Sequence, residues 1–154
     1  MLRSFLMGLV AGQRSMTPLS ALAGAARLGT LPHDNPEARL MARPLFAAGG
    51  VLLAAAEMAG DKMKTAPDRT VFLGLLARTI TSGFVGAALA PPKRQLAGAA
   101  LGISAALVSS YAGLAARKWA MRRWGQTATG FVEEAIVFTA ANMIANAKPL
   151  SRIM

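Results

Sequence analysis

Glu57–Arg78, E-M-A-G-D-K-M-K-T-A-P-D-R-T-V-F-L-G-L-L-A-R, sets the carboxylates Glu57, Asp61 and Asp68 and the cations Lys62, Lys64, Arg69 and Arg78 between two apolar runs. Almost everything outside it is Ala, Gly, Leu or a small polar residue. A short charged link between apolar segments reads as a helical hairpin with antiparallel neighbouring arms. Thr65 or Asp68 can cap the returning helix.

Working outward, five apolar segments can be drawn, at about 5–27, 45–60, 71–90, 95–116 and 131–147. A helix rises about 1.5 Å per residue, so roughly 20 residues cross a hydrocarbon core of about 30 Å. Segments 71–90 and 95–116 reach that length; 45–60 and 131–147 need their charged flanks or a thinned bilayer. The chain is Ala-rich and lacks the period-2 alternation of a membrane barrel. The expected fold is therefore all-α: a polytopic transmembrane helical bundle of about five segments, forming one domain over residues 1–154.

Composition agrees. Of the 154 residues, 54% are apolar and 16% charged, and mean hydropathy is +0.42. That is too apolar for an ordinary soluble basic protein. The net charge of +10 would ordinarily suggest nucleic acid. Here the cations cluster between apolar runs, where anionic lipid head groups are the expected partner. Aromatic residues are too few and scattered to stack bases, so no nucleic acid partner is expected. With no cysteine and a single histidine, His33, in a Pro-rich loop, no metal site built from nitrogen or sulfur ligands is expected, nor any cofactor. A cation site made only of carboxylates stays open. No H-E-x-x-H, G-x-S-x-G or P-loop is present, so an enzyme is not expected.

At the N-terminus, Arg3 precedes F-L-M-G-L-V, but Gly12, Gln13 and Arg14 cut the apolar run too early for a signal peptide. A retained first segment follows, broken near Arg14–Pro18 by G-Q-R-S-M-T-P, because Pro18 removes a backbone donor and clashes with the Arg14 carbonyl. The loop 28–44 is polar and proline-rich. Gly49, Leu53, Glu57 and Asp61 share one face of the next helix, and Gly74, Arg78, Ser82 and Gly86 share one face of the following one. Gly98-x-x-x-Gly102 and Ser109-x-x-x-Gly113 are small-residue faces suited to close helix packing. R-K-W-A-M-R-R-W (117–124) has the make-up of an interfacial anchor. Glu134, Asn142 and Asn146 lie on one stripe of the last segment.

A weak inverted repeat is also visible. G-L-V-A-G-Q-R-S-M-T (8–17) resembles G-L-L-A-R-T-I-T (74–81), and each is followed by a helix carrying Glu57 and Asp61 or Glu133 and Glu134. Inverted-topology transporters are built this way; chance similarity in an Ala-rich chain is an equal reading. Orientation is open: with the N-terminus inside, eight cations fall on the inner side and seven on the outer.

Arg14, Arg78, Glu57 and Glu134 are the residues most expensive in lipid, at about 2.5–3.5 kcal/mol for a charge at a helix centre. Two readings follow. In one, the protein is a transporter or channel for a small solute or ion, passing a site lined by these residues. In the other, it is a non-transporting scaffold or lipid-binding assembly factor whose buried charges are structural salt bridges. Similar depth on the hairpin makes Glu57 the expected partner of Arg78, leaving Glu134 for Arg14. Short helices with several small-residue faces suggest a homo-oligomer.

A-G-Q-R-S-M-T-P-L-S-A-L, E-M-A-G-D-K-M-K-T-A-P-D-R-T, G-L-L-A-R-T-I-T-S-G-F-V-G-A-A-L and V-E-E-A-I-V together resemble the domain-of-unknown-function 4126 family of small bacterial integral membrane proteins. The chain departs from that pattern at Lys64, where a proline is expected, and at Glu134, where an aspartate is more usual. The resemblance implies a multi-pass protein of the bacterial inner (cytoplasmic) membrane and brings no activity with it. It singles out Arg14, Glu57, Asp61, Lys62, Asp68, Arg69, Arg78, Glu133 and Glu134 as candidate site residues, to which the polar stripe adds Asn142.

Overall fold

The computed structural model describes residues 1–31, 35–60 and 72–147. Among these the chain is all-helical: α1 (Leu2–Gln13), α2 (Thr17–Arg27), α3 (Pro36–Met41), α4 (Pro44–Gly60), α5 (Phe72–Ala88), α6 (Gln95–Trp124) and α7 (Gln126–Asn146). No strand forms among the described residues.

The first segment breaks where expected, but the chain does not continue across. Arg14 is extended, at φ −141° and ψ 119°, and Pro18 lies in the first turn of α2. There the missing N–H is one that no helix would use, so the proline starts a new helix instead of kinking the old one. Contacts to α7 give the direction. Arg3 Nε donates to the Ile144 carbonyl (3.0 Å), Arg14 reaches Glu134, and Thr30 Oγ1 lies 3.1 Å from Asn146 Oδ1. Both arms therefore run along the same stretch of α7, α1 outbound and α2 on the way back. The expected broken span is a helical hairpin with its tip at Arg14–Met16.

The two arms share α7 but differ in their other partners. α1 lies against α6 and α5, whereas α2 lies against α4. Along α1 and α6 the fit needs glycine: a methyl group at Gly8 would strike the Gly102 carbonyl, and one at Gly12 would strike Ser109 Oγ and the Ala106 carbonyl. The α5–α6 seam is the same kind of contact, with Gly86 against the Gly98 backbone and Gly102 against the Ser82 carbonyl. These are close backbone approaches of the small-x-x-x-small type. The predicted faces Ser82/Gly86, Gly98/Gly102 and Ser109/Gly113 are all used, Ser109 lying against Gly12 and Gly113 against the Gln13 side chain. Gly8-x-x-x-Gly12, which forms the α1 side, is an equally good motif that the sequence reading passed over.

Three boundaries differ from expectation. The loop 28–44 contains α3, whose preceding residue Asn35 is fully buried and donates to the carbonyls of Ala88 and Ala90 (3.0 Å each), closing the end of α5. The basic segment 117–124 continues α6 without interruption, because nothing before Gly125, at φ 81°, stops the helix. Finally, α4 packs on α2 and α3 rather than along α5, so these two helices are not the antiparallel neighbours the hairpin reading required.

Among the described residues two helices, α6 and α7, are long and apolar enough to cross a membrane, and α4 and α5 are shorter apolar helices. Only 28% of the apolar window of α6 and 17% of that of α7 are buried within the chain, which is not the setting of a soluble core helix. Leu52, Leu73, Ile80, Val108, Val132, Ile136 and Met143 all point outward. The interior, by contrast, is made of small residues, and Arg14 is the largest of its fully buried side chains.

Candidate functional site

An interrupted helix leaves unpaired carbonyls at one end and unpaired amides at the other. At the hairpin tip both sets are met by side chains from other helices. On the α1 side, the Gly12 carbonyl accepts from Arg78 Nε of α5 (3.2 Å) and from Ser110 Oγ of α6 (3.2 Å). Ser109 Oγ donates to the Leu9 carbonyl one turn earlier (2.8 Å), and Gln13 Nε2 donates to the Ser109 carbonyl (2.8 Å). On the α2 side, Glu57 of α4 accepts from the Ser15 amide (2.8 Å), the Ser15 hydroxyl (2.7 Å) and the Met16 amide (2.8 Å).

The electrostatics follow the helix ends. A helix N-terminus carries partial positive charge and a C-terminus partial negative charge. The carboxylate of Glu57 sits at the start of α2, and the guanidinium of Arg78 at the end of α1. Between them Arg14, only 1% exposed, pairs with Glu134 of α7 at 3.1 Å. The tip is thus clasped by α4, α5, α6 and α7.

The expected pairing is half met. Arg14 meets Glu134, as anticipated. Glu57 and Arg78 do not form an ion pair: the Glu57 oxygens are engaged by Ser15 and Met16, and Arg78 Nε turns to the Gly12 carbonyl. Depth matching placed the two charges correctly along the bundle but ignored the open backbone that α2 places beside them.

The other candidates divide. Glu133 faces away from its neighbour Glu134 and pairs with Arg117 of α6 at 3.4 Å, successive helix residues pointing about 100° apart. Asn142 lies two turns below Glu134, donating to the Phe138 carbonyl (2.9 Å). It lines a cavity of about 270 Å³ between α2, α4 and α7 together with Ser20, Ala54, Met58 and Phe138. Asp61, Lys62, Asp68 and Arg69 lie outside the described residues. Ser15, Met16, Gly12 and Ser110 belong to the tip and were not singled out by sequence. Backbone groups give no residue-type signal, and only the G-Q-R-S-M-T-P interruption pointed to them.

Among the described residues no three His, Cys, Asp or Glu side chains gather in a metal-binding arrangement. No family model, no curated protein and no solved structure matches the chain, so the resemblance to the domain-of-unknown-function 4126 family rests on the motifs quoted above.

Proposed function

We propose that this is a small multi-pass protein of the bacterial inner membrane, of the domain-of-unknown-function 4126 type, and that it is a transporter or channel for a small ion or solute. In this reading α4–α7 embed in the bilayer and the α1–α2 hairpin enters from one side and returns to it. The observation that carries the reading is the tip itself. Non-helical backbone at membrane depth is tolerated where protein or a water-filled path satisfies it, and such breaks belong to transporters and filters. Four ionisable side chains converging on one break fit that use better than a passive packing role. Glu57 is the residue we assign to control passage, because its carboxylate occupies the anion-attracting start of α2. The exposed apolar faces of α4 and α7 would meet lipid or a second copy in a homo-oligomer.

One observation favours the scaffold reading: Arg14, Glu57 and Arg78 all engage protein groups, and the cavity beside α2 is lined mainly by apolar residues. Reconstitution separates the two. Sealed proteoliposomes with internal indicators for protons, chloride and potassium should pass at least one ion under an imposed gradient, and Glu57→Gln should change that rate at least about tenfold. Folded, incorporated protein that passes none of them, with Glu57→Gln indistinguishable from the parent, leaves only the scaffold.

A further inference from the structure

α6 has 30 residues, about 45 Å of helix, against about 30 Å of hydrocarbon and 40–45 Å including the head-group layers. Its glycine-rich first half is fixed in the bundle by the seams with α1 and α5. Counted from Gln95, the hydrocarbon is traversed by about residue 115. The next two turns, Arg117–Trp124, then stand in the head-group layer. We propose that these turns form a binding site for anionic lipid head groups, with Arg122 and Arg123 contacting the phosphate and the two tryptophans holding the adjoining glycerol and acyl region.

The side chains are arranged for it. Lys118, Trp119, Arg122, Arg123 and Trp124 are exposed. The rings of Trp119 and Trp124 meet edge to face at 5.5 Å and 81°, and the Arg123 guanidinium lies 5.9 Å from the Trp119 ring centre. That contact pre-orients a cation over an amphipathic ring of the kind found at membrane interfaces. Arg117 is offset by Glu133, whereas no acidic partner faces Arg122 or Arg123 among the described residues. Arg27, Arg39, Arg43, Lys93 and Arg94 at the opposite end supply charge without tryptophan.

The inference rests on the membrane reading, and the test separates the two. Trp119 and Trp124 are the only tryptophans of the chain, so intrinsic fluorescence reports on this site alone. The full-length protein is reconstituted with brominated phosphatidylglycerol or brominated phosphatidylcholine at matched mole fractions. Quenching should favour phosphatidylglycerol about fivefold in relative binding constant, the ratio one head-group charge contact supplies. Arg122→Ala with Arg123→Ala should bring it near one, with helicity unchanged by circular dichroism. High salt should weaken the preference, and free glycerol phosphate in the millimolar range should not. Strong and equal quenching by both lipids overturns the head-group site while leaving the membrane reading intact. Quenching by neither overturns both. Full competition by glycerol phosphate assigns the site to a soluble anion and overturns the lipid.

Discussion

The two ends of the hairpin tip are held in opposite ways. Where α1 stops, the open carbonyl of Gly12 takes donors from Arg78 and Ser110; where α2 starts, the open amides of Ser15 and Met16 take the carboxylate of Glu57. Cation and anion are each matched to a helix end rather than to each other. Once a helix is interrupted in an apolar setting, unpaired backbone is as demanding as unpaired charge, and Arg78 and Glu57 go where the backbone needs them. Arg14 and Glu134, placed between the two ends, pair directly.

The largest effect expected is at that direct pair. Arg14→Leu alone removes the direct contact to the largely buried Glu134 and should cost about 3–5 kcal/mol, enough to deplete the protein from membranes. Arg14→Leu with Glu134→Leu should recover most of the lost thermal stability in detergent, and a double variant no better than the single one would show that the pair is not a unit. Arg78 and Glu57 should behave in the contrary way. Glu57→Leu strands two amides and a hydroxyl and should cost about 3 kcal/mol, Arg78→Leu about 2 kcal/mol, and the two losses should add. Rescue of one by the other would restore the ion pair that the tip geometry excludes. Because Glu57 acts as a bound carboxylate, Glu57→Ala should regain part of its melting temperature in millimolar formate, whereas Glu57→Leu, which fills the space, should not. The smallest effect belongs to Arg117–Glu133, mostly buried but outside the tip, with no open backbone to satisfy: Arg117→Ala should cost less than either tip change, about 1–2 kcal/mol by the same melting measurement.

The contrast also marks where the sequence was readable. Apolar stretches gave α4 and α5 to within a few residues, and the small-residue faces of Ser82/Gly86 and Gly98/Gly102 identified a seam that forms. The break at 14–18 and the Arg14–Glu134 pair followed from charge, proline and one stripe of α7. What was hidden is direction. Pro18 reads the same whether it kinks a helix or begins the next one, and only the contacts of Arg3 and Thr30 with the end of α7 distinguish the two. The apolar segment drawn at 95–116 is only part of its helix: hydropathy falls past 116, yet Arg, Lys, Ala, Met and Trp continue a helix readily and the first stop is Gly125. The adjacency of α4 and α5 was inferred from closeness in sequence, and the folded-back α2 arm occupies that place.

That reversal is the central claim, and the absence of cysteine from the chain makes it directly measurable. Leu2, Leu28 and Gln126 are exposed, and each can be replaced singly by cysteine and treated with a membrane-impermeant maleimide on sealed vesicles of one orientation. A turned-back hairpin puts Leu2→Cys and Leu28→Cys on the same side, with Gln126→Cys on the other. Labelling of Leu2→Cys and Leu28→Cys from opposite sides would mean that the first segment crosses the membrane, and would contradict the account.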